Sequence, residues 1–173
     1  GSLTGTATGH FVGSGGILKL SSTSVSFAGD ADNVELYGGG DINLYQNLNV
    51  LNNLTITAVN NLNGNPGGLK IKVGGNVLNN DASGYGNHYS WQPVFVSLTA
   101  GVDQNLSGAG VFTFLDLSKT GGNALMLNDI VVIGSLTGTA TGHFVGSGGI
   151  LKLNSSSVSF AGDADNVELY GGG

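Results

Sequence analysis

The tetrapeptide Asp30-Ala31-Asp32-Asn33 gathers the densest set of side-chain oxygens in the chain. It returns 133 residues later as Asp163-Ala164-Asp165-Asn166. Hard cations such as Ca²⁺ take several oxygen ligands from a flexible loop, and D-x-D-N supplies them at alternate positions, with Asp41 a few residues on. A complete Ca²⁺ loop adds a glycine turn and a bidentate acid at fixed spacing, and Glu35 stands too close to be that acid. Two readings are open. In one, the Asx residues bond their own backbone and make an ordinary turn. In the other, Asp30, Asp32 and Asn33, and again Asp163, Asp165 and Asn166, bind Ca²⁺. No other cofactor is expected.

A second group, Tyr85, His88, Tyr89 and Trp91, falls in the longest irregular stretch, Asn79 to Gln92. Aromatic rings on an exposed loop stack on sugar rings or anchor a protein partner. The other reading folds this loop back so that the rings pack on the wall beneath it. His10 and His143 occupy one position in two copies and are read as structural, since the three histidines lack metal-ligand spacing. No G-x-S-x-G elbow and no glycine-rich loop running into GK[ST] is present. Glycoside hydrolysis requires two facing carboxylates, whereas the acids here sit mostly in turns and the most suggestive set is tiled along a repeat. The chain is expected not to be an enzyme.

The elements that must position these residues are governed by duplication. Gly1–Gly40 recurs as Gly134–Gly173 with 38 of 40 residues identical, Ser21 becoming Asn154 and Thr23 becoming Ser156. Residues 1–133 are therefore read as one complete unit and 134–173 as the start of the next. A chain that starts and stops at the edges of its own duplication is expected to be a window on a longer tandem array.

Composition narrows the classes. Of 173 residues, 32 are Gly, 40% are apolar and only 9% are charged, far below an ordinary globular domain and yet too apolar for disorder. The five basic residues are all lysines against 11 acids, for a net charge of −6. Phosphate neutralisation needs Lys and Arg, so nucleic acid and anionic membrane surfaces are poor partners. No apolar run is long enough to span a bilayer, and with no cysteine there is no disulfide or thiolate site.

Period-2 alternation fills the chain. Leu18/Leu20, Val25/Phe27, Val34/Leu36, Ile42/Leu44, Leu48/Val50, Leu54/Ile56, Leu69/Ile71/Val73, Val94/Val96/Leu98, Phe112/Phe114, Leu125/Leu127 and Ile130/Val132 are expected to face a core. Polar residues between them, Lys70 and Thr57 included, are expected on the outside with little bearing on stability. Gly, Asn and Asp clusters turn the chain between these short strands. The fold expected is all-β, a parallel β-solenoid (β-helix) of tandem 133-residue repeats with roughly 20 to 25 residues per coil. Tandem antiparallel β-sandwiches are the alternative.

The segments VFTFLDLSKTGGNALMLNDIVVIGSLT (Val111 to Thr137) and VLNNLTITAV (Val50 to Val59) resemble the repeats of large Bacteroidota-type surface proteins, and more broadly filamentous-haemagglutinin-like adhesins. The resemblance implies a parallel β-helix in a secreted, surface-attached filament or adhesin at an extracellular location. The partners expected are neighbouring units of the same protein and identical chains in a filament; the alternative is a glycan- or Ca²⁺-binding adhesion module that uses the aromatic loop or the Asp-Ala-Asp-Asn turns. Ala124 and Met126 depart from the commoner Val and Thr of that pattern.

Overall fold

The structure is a computed structural model that describes residues 1–6, 8–12, 16–85, 92–154 and 157–170. Among these residues there is no helix, and every pairing between strands is parallel. The chain winds as a β-solenoid of about eight turns. Each of the first four turns has three strands, one per face. They are β1 (Ser2–Gly5), β2 (His10–Phe11) and β3 (Leu18–Leu20); β4 (Thr23–Phe27), β5 (Asp30–Ala31) and β6 (Val34–Leu36); β7 (Ile42–Leu44), β8 (Leu48–Val50) and β9 (Leu54–Ile56); and β10 (Leu62–Gly64), β11 (Leu69–Val73) and β12 (Val77–Asn79). The chain continues through β13 (Val94–Leu98), β14 (Gln104–Ser107), β15 (Val111–Leu117), β16 (Ala124–Met126), β17 (Ile130–Gly138) and β18 (His143–Val145). It ends with β19 (Leu151–Leu153), β20 (Ser157–Phe160), β21 (Asp163–Ala164) and β22 (Val167–Leu169).

Three sheets result. The first is β1-β4-β7-β10, the second runs from β2 through β5, β8, β11, β13, β15 and β17 to β19 and β22, with β20 also on β17, and the third runs from β3 to β21. Asp81 carries the first face between β10 and β15. Its carboxylate Oδ2 accepts from the Val59 N–H at 2.8 Å and its carbonyl from the Val111 N–H at 2.9 Å. Beyond that point the first two faces join into long strands: β15 spans both, with a register irregularity between Phe112 and Phe114 at the corner.

The alternation explains the core. Val25, Phe27, Val34, Leu36, Ile42, Leu44, Leu54 and Ile56 all point inward and are buried, as do their counterparts up to Ile130 and Val132. With sheets enclosing one apolar shaft, each coil loses water only where another coil lies above and below it.

Two sets of inward residues differ from expectation. At the corner irregularity Phe112 is buried, but Phe114 turns aside and its ring meets Phe95 at 5.4 Å. Leu115 and Leu117 take the inward places instead. In β16 it is Ala124 and Met126 that face the core, leaving Leu125 half-buried and Leu127 exposed. Four apolar residues in succession carry no face information, and the small, adaptable pair won the narrow interior.

The repeat boundary is not a structural break. Residues 133 and 134 lie inside β17 at the corner between its two paired stretches: residues 130–132 pair with β19 and residues 135–138 with β20, and residues 131–132 and 135–138 pair on the other side with β15.

Candidate functional site

The Asp-Ala-Asp-Asn segment lies at the corner between the second and third faces, with Ala31 buried and its neighbours turned outward. Its oxygens do not converge on one point. Asp30 Oδ1 accepts from Asn49 Nδ2 of the following coil at 3.1 Å, whereas Asp32 Oδ1 lies 2.9 Å from His10 Nε2 of the preceding coil. Asn33 Oδ1 accepts from both the N–H and the amide of Asn53 at 3.3 Å. Asp41 accepts from the amides of Asn60 and Asn61 at 2.9 and 2.8 Å. The second copy repeats the essential contact: Asp165 Oδ1 stands 3.0 Å from His143 Nε2, and Asp165 Oδ2 accepts from the Gly146 N–H. The His143 ring and that N–H hold the Asp165 carboxyl below the usual carboxylate range. Asp163 pairs in register with His143, and Asn166 bonds through its carbonyl to the Leu151 N–H. Among the described residues no group of three or more His, Asp or Glu is placed to hold a metal ion.

The loop Asn79–Gln92 begins as wall rather than protrusion. Asn79 and Asp81 are buried, and Asp81 Oδ1 accepts from the N–H and hydroxyl of Ser83. Of the two readings of the aromatic loop, Tyr85 follows the one in which a ring packs on the wall: it is fully buried. Its hydroxyl donates to the Phe114 carbonyl at 2.9 Å and its own carbonyl accepts from Thr113 Oγ1. Burial pushes the Tyr85 hydroxyl well above the usual tyrosine range. A ring sealed in this way cannot stack on a sugar. His88, Tyr89 and Trp91 lie outside the described residues.

Polar side chains that periodicity alone marks as plain outer positions turn out to tie coils together. A ladder runs up the corner before the third face: Asn33 Oδ1 accepts from the Asn53 N–H, Asn53 Oδ1 from the Asn76 N–H at 3.0 Å, and Asn76 Oδ1 from the Asn105 N–H at 2.8 Å. Asp103 Oδ1 then takes the Asn123 N–H at 2.8 Å. Corner residues leave strand geometry, so their N–H groups lose sheet partners and these side chains replace them. Asn53→Ala removes the acceptor of the Asn76 N–H and the side-chain amide bond to Asn33 while keeping the backbone rung to Asn33, and is expected to lower stability by about 1–3 kcal/mol in urea melts. A change under a few tenths would show the ladder to be incidental.

On the second face, Asp116 is almost wholly buried on the outer side of the wall. Ser97 Oγ donates to it at 2.5 Å, Ser118 Oγ at 2.7 Å, Thr137 Oγ1 at 2.7 Å and Lys70 Nζ at 2.8 Å. Burial alone would raise its carboxyl, but Lys70 and the three hydroxyls outweigh it and hold the group below its ordinary range. Lys70 therefore clamps a residue 46 positions away across Phe95, which corrects the expectation that its replacement is neutral. Lys70→Ser should cost about 1–2 kcal/mol at neutral pH, the half-exposed ammonium keeping the value modest. Because the folded carboxyl titrates below its unfolded value, its contribution is full above the ordinary carboxylate range and is lost as pH falls through the folded value. The gap between Lys70→Ser and the parent should accordingly shrink in acid; a gap independent of pH would contradict the clamp.

Lys119 is buried at the next corner and donates to the Val102 carbonyl and to Gln104 Oε1, both at 2.8 Å. Burial draws its amine below the usual lysine range, and the Asp103 charge opposes that. Gln104 in turn donates to the carbonyls of Val73 and Gly75. These partners lie 15 to 46 residues apart, so only the coil length, absent from any local pattern, could have found them.

What this arrangement does chemically is join coil to coil. No protein-family model, curated protein or solved structure matches the chain.

Proposed function

We propose that the chain is a structural, non-catalytic segment of a secreted tandem-repeat protein, serving as a stiff stalk in an extracellular filament or surface adhesin. The observation that carries this reading is β17. The strand runs from one unit into the next through the corner at residues 133 and 134, and its residues 135–138 pair with β15 of the first unit and β20 of the second. Units joined in this way transmit load through a continuous parallel sheet and a continuous apolar shaft, with no linker to bend. Each coil also covers the unpaired strand edges of the coil before it, so the array grows without exposing sheet edges.

The low charge and the Asn, Ser and Thr surface suit a rod whose outer residues serve one another before they serve a ligand. The resemblance of Val111 to Thr137 to surface-protein repeats supports the extracellular placement. Antibody raised against the chain should decorate intact cells of the source organism along extended fibres. Labelling only after lysis would overturn the reading.

A further inference from the structure

We infer that a tandem array of this unit displays each surface feature on three faces in turn, advancing by one face per 133 residues. The inference rests on the stalk reading, since it requires units that continue coil on coil.

The evidence is a single column of strand partners on the second face. Thr137 pairs with Asp116, Asp116 with Ser97, Ser97 with Lys72, Lys72 with Asn49, Asn49 with Asp30, and Asp30 with His10. Six turns back from Thr137 the chain has reached His10. The sequence counterpart of Thr137 is Thr4, in β1, which pairs with Ser26 in the first sheet. Six turns thus span the 127 residues from His10 to Thr137, six short of the repeat, and six residues is the step from one face to the next.

The rest of the copied segment follows the same shift. β2 lies in the second sheet and its copy β18 in the third; β5 lies in the second and its copy β21 in the third; β3 lies in the third, whereas its copy β19 pairs with the first half of β17. The His10–Asp32 pair therefore faces one side and the chemically identical His143–Asp165 pair the next. Each pair needs only the coils around it, so the contact survives the rotation.

At a strand spacing of about 4.8 Å, one unit advances roughly 30 Å, and three units restore a feature to its starting face after roughly 91 Å. A partner lying along one side, including a second array, meets a given patch on every third unit. Partners arriving from any direction find the same patch within three units.

The chain contains no cysteine, so paired nitroxide labels can be placed cleanly. One label goes on Ser159→Cys, and the second on either Asp30→Cys or Ser26→Cys. Asp30 shares the column of Ser159, six spacings or about 29 Å away. Ser26 is the sequence counterpart of Ser159 and sits in the same turn as Asp30, but on the first face. Pulsed dipolar spectroscopy should give the shorter distance for Asp30/Ser159, with Ser26/Ser159 longer by several ångströms. Equal distances, or the reverse order, would overturn the inference and leave the stalk intact. Two broad distributions well beyond these values would instead indicate flexibly tethered units and remove the stalk reading along with it. The Asp30→Cys variant forfeits one partly exposed hydrogen bond to Asn49; circular dichroism matching the parent confirms that both labelled chains are folded.

Discussion

Ile56→Asp should abolish the cooperative melting transition or lower its midpoint by tens of degrees. Ile56 is fully buried in β9, held between Leu36 of the coil below and Asn79 of the coil above. The carboxylate would enter the shaft with no cation and no donor facing it, at a cost of several kcal/mol. Neutralisation by uptake of a proton limits the cost without removing it, so the variant should recover partly in acid, where the parent is weakened. Thr57→Ser, one residue along and facing out, keeps its hydroxyl on Glu35 and should stay within about half a kcal/mol of the parent. If Ile56→Asp melts like the parent, the inside and outside of the wall have been exchanged.

The second large effect uses the duplication as its own control. Leu36 and Leu169 are the same residue in the same sequence context, yet Leu36 is 0% exposed and Leu169 is 78% exposed. The difference is the coil that covers one and not the other: Leu36 pairs onward to Ile56, while Leu169 ends a strand with nothing above it among the described residues. The lower end shows the mirror image, with Phe11 41% exposed and its copy Phe144 0% exposed. Leu36→Asp is therefore expected to cost several kcal/mol and Leu169→Asp less than about 1 kcal/mol, read as midpoint shifts in urea. Equal losses would mean that burial within a unit, and not stacking of coils, holds the structure.

These contrasts indicate which parts of the fold are legible in sequence. Val34 and Leu36, and Ile42 and Leu44, could be placed inward because each pair flanks a single polar residue, Glu35 and Asn43, so period 2 has a single solution. Ala124 to Leu127 has four apolar residues, and the face was decided by the volume left inside the shaft. Phe114 was misplaced because a corner irregularity consumes one residue and shifts the count. The duplication announced the repeat, and the short strands with Gly and Asn turns announced the solenoid.

The candidate site was less legible, for a different reason. Asp30, Asp32 and Asn33 are neighbours in sequence and look like one ligand set. The coil geometry sends them to Asn49, His10 and Asn53 respectively. For Tyr85 the sequence left an exposed and a packed ring both open, because its neighbours are Gly and Ser; the ring is buried and its hydroxyl bonds the Phe114 carbonyl. Lys70 and Asp116 could not be paired without the number of residues per turn, which varies from coil to coil.

The account stands on continuity through the unit boundary, and amide hydrogen exchange across β17 measures that directly. The N–H groups of Leu136, Thr137 and Gly138 should exchange as slowly as those of Val96 and Leu98 in the middle of the same sheet, in one cooperative unit with them. Exchange at residues 133–138 at rates near those of an unfolded chain, with Val96 and Leu98 still protected, would mark a hinge where a continuous wall is required.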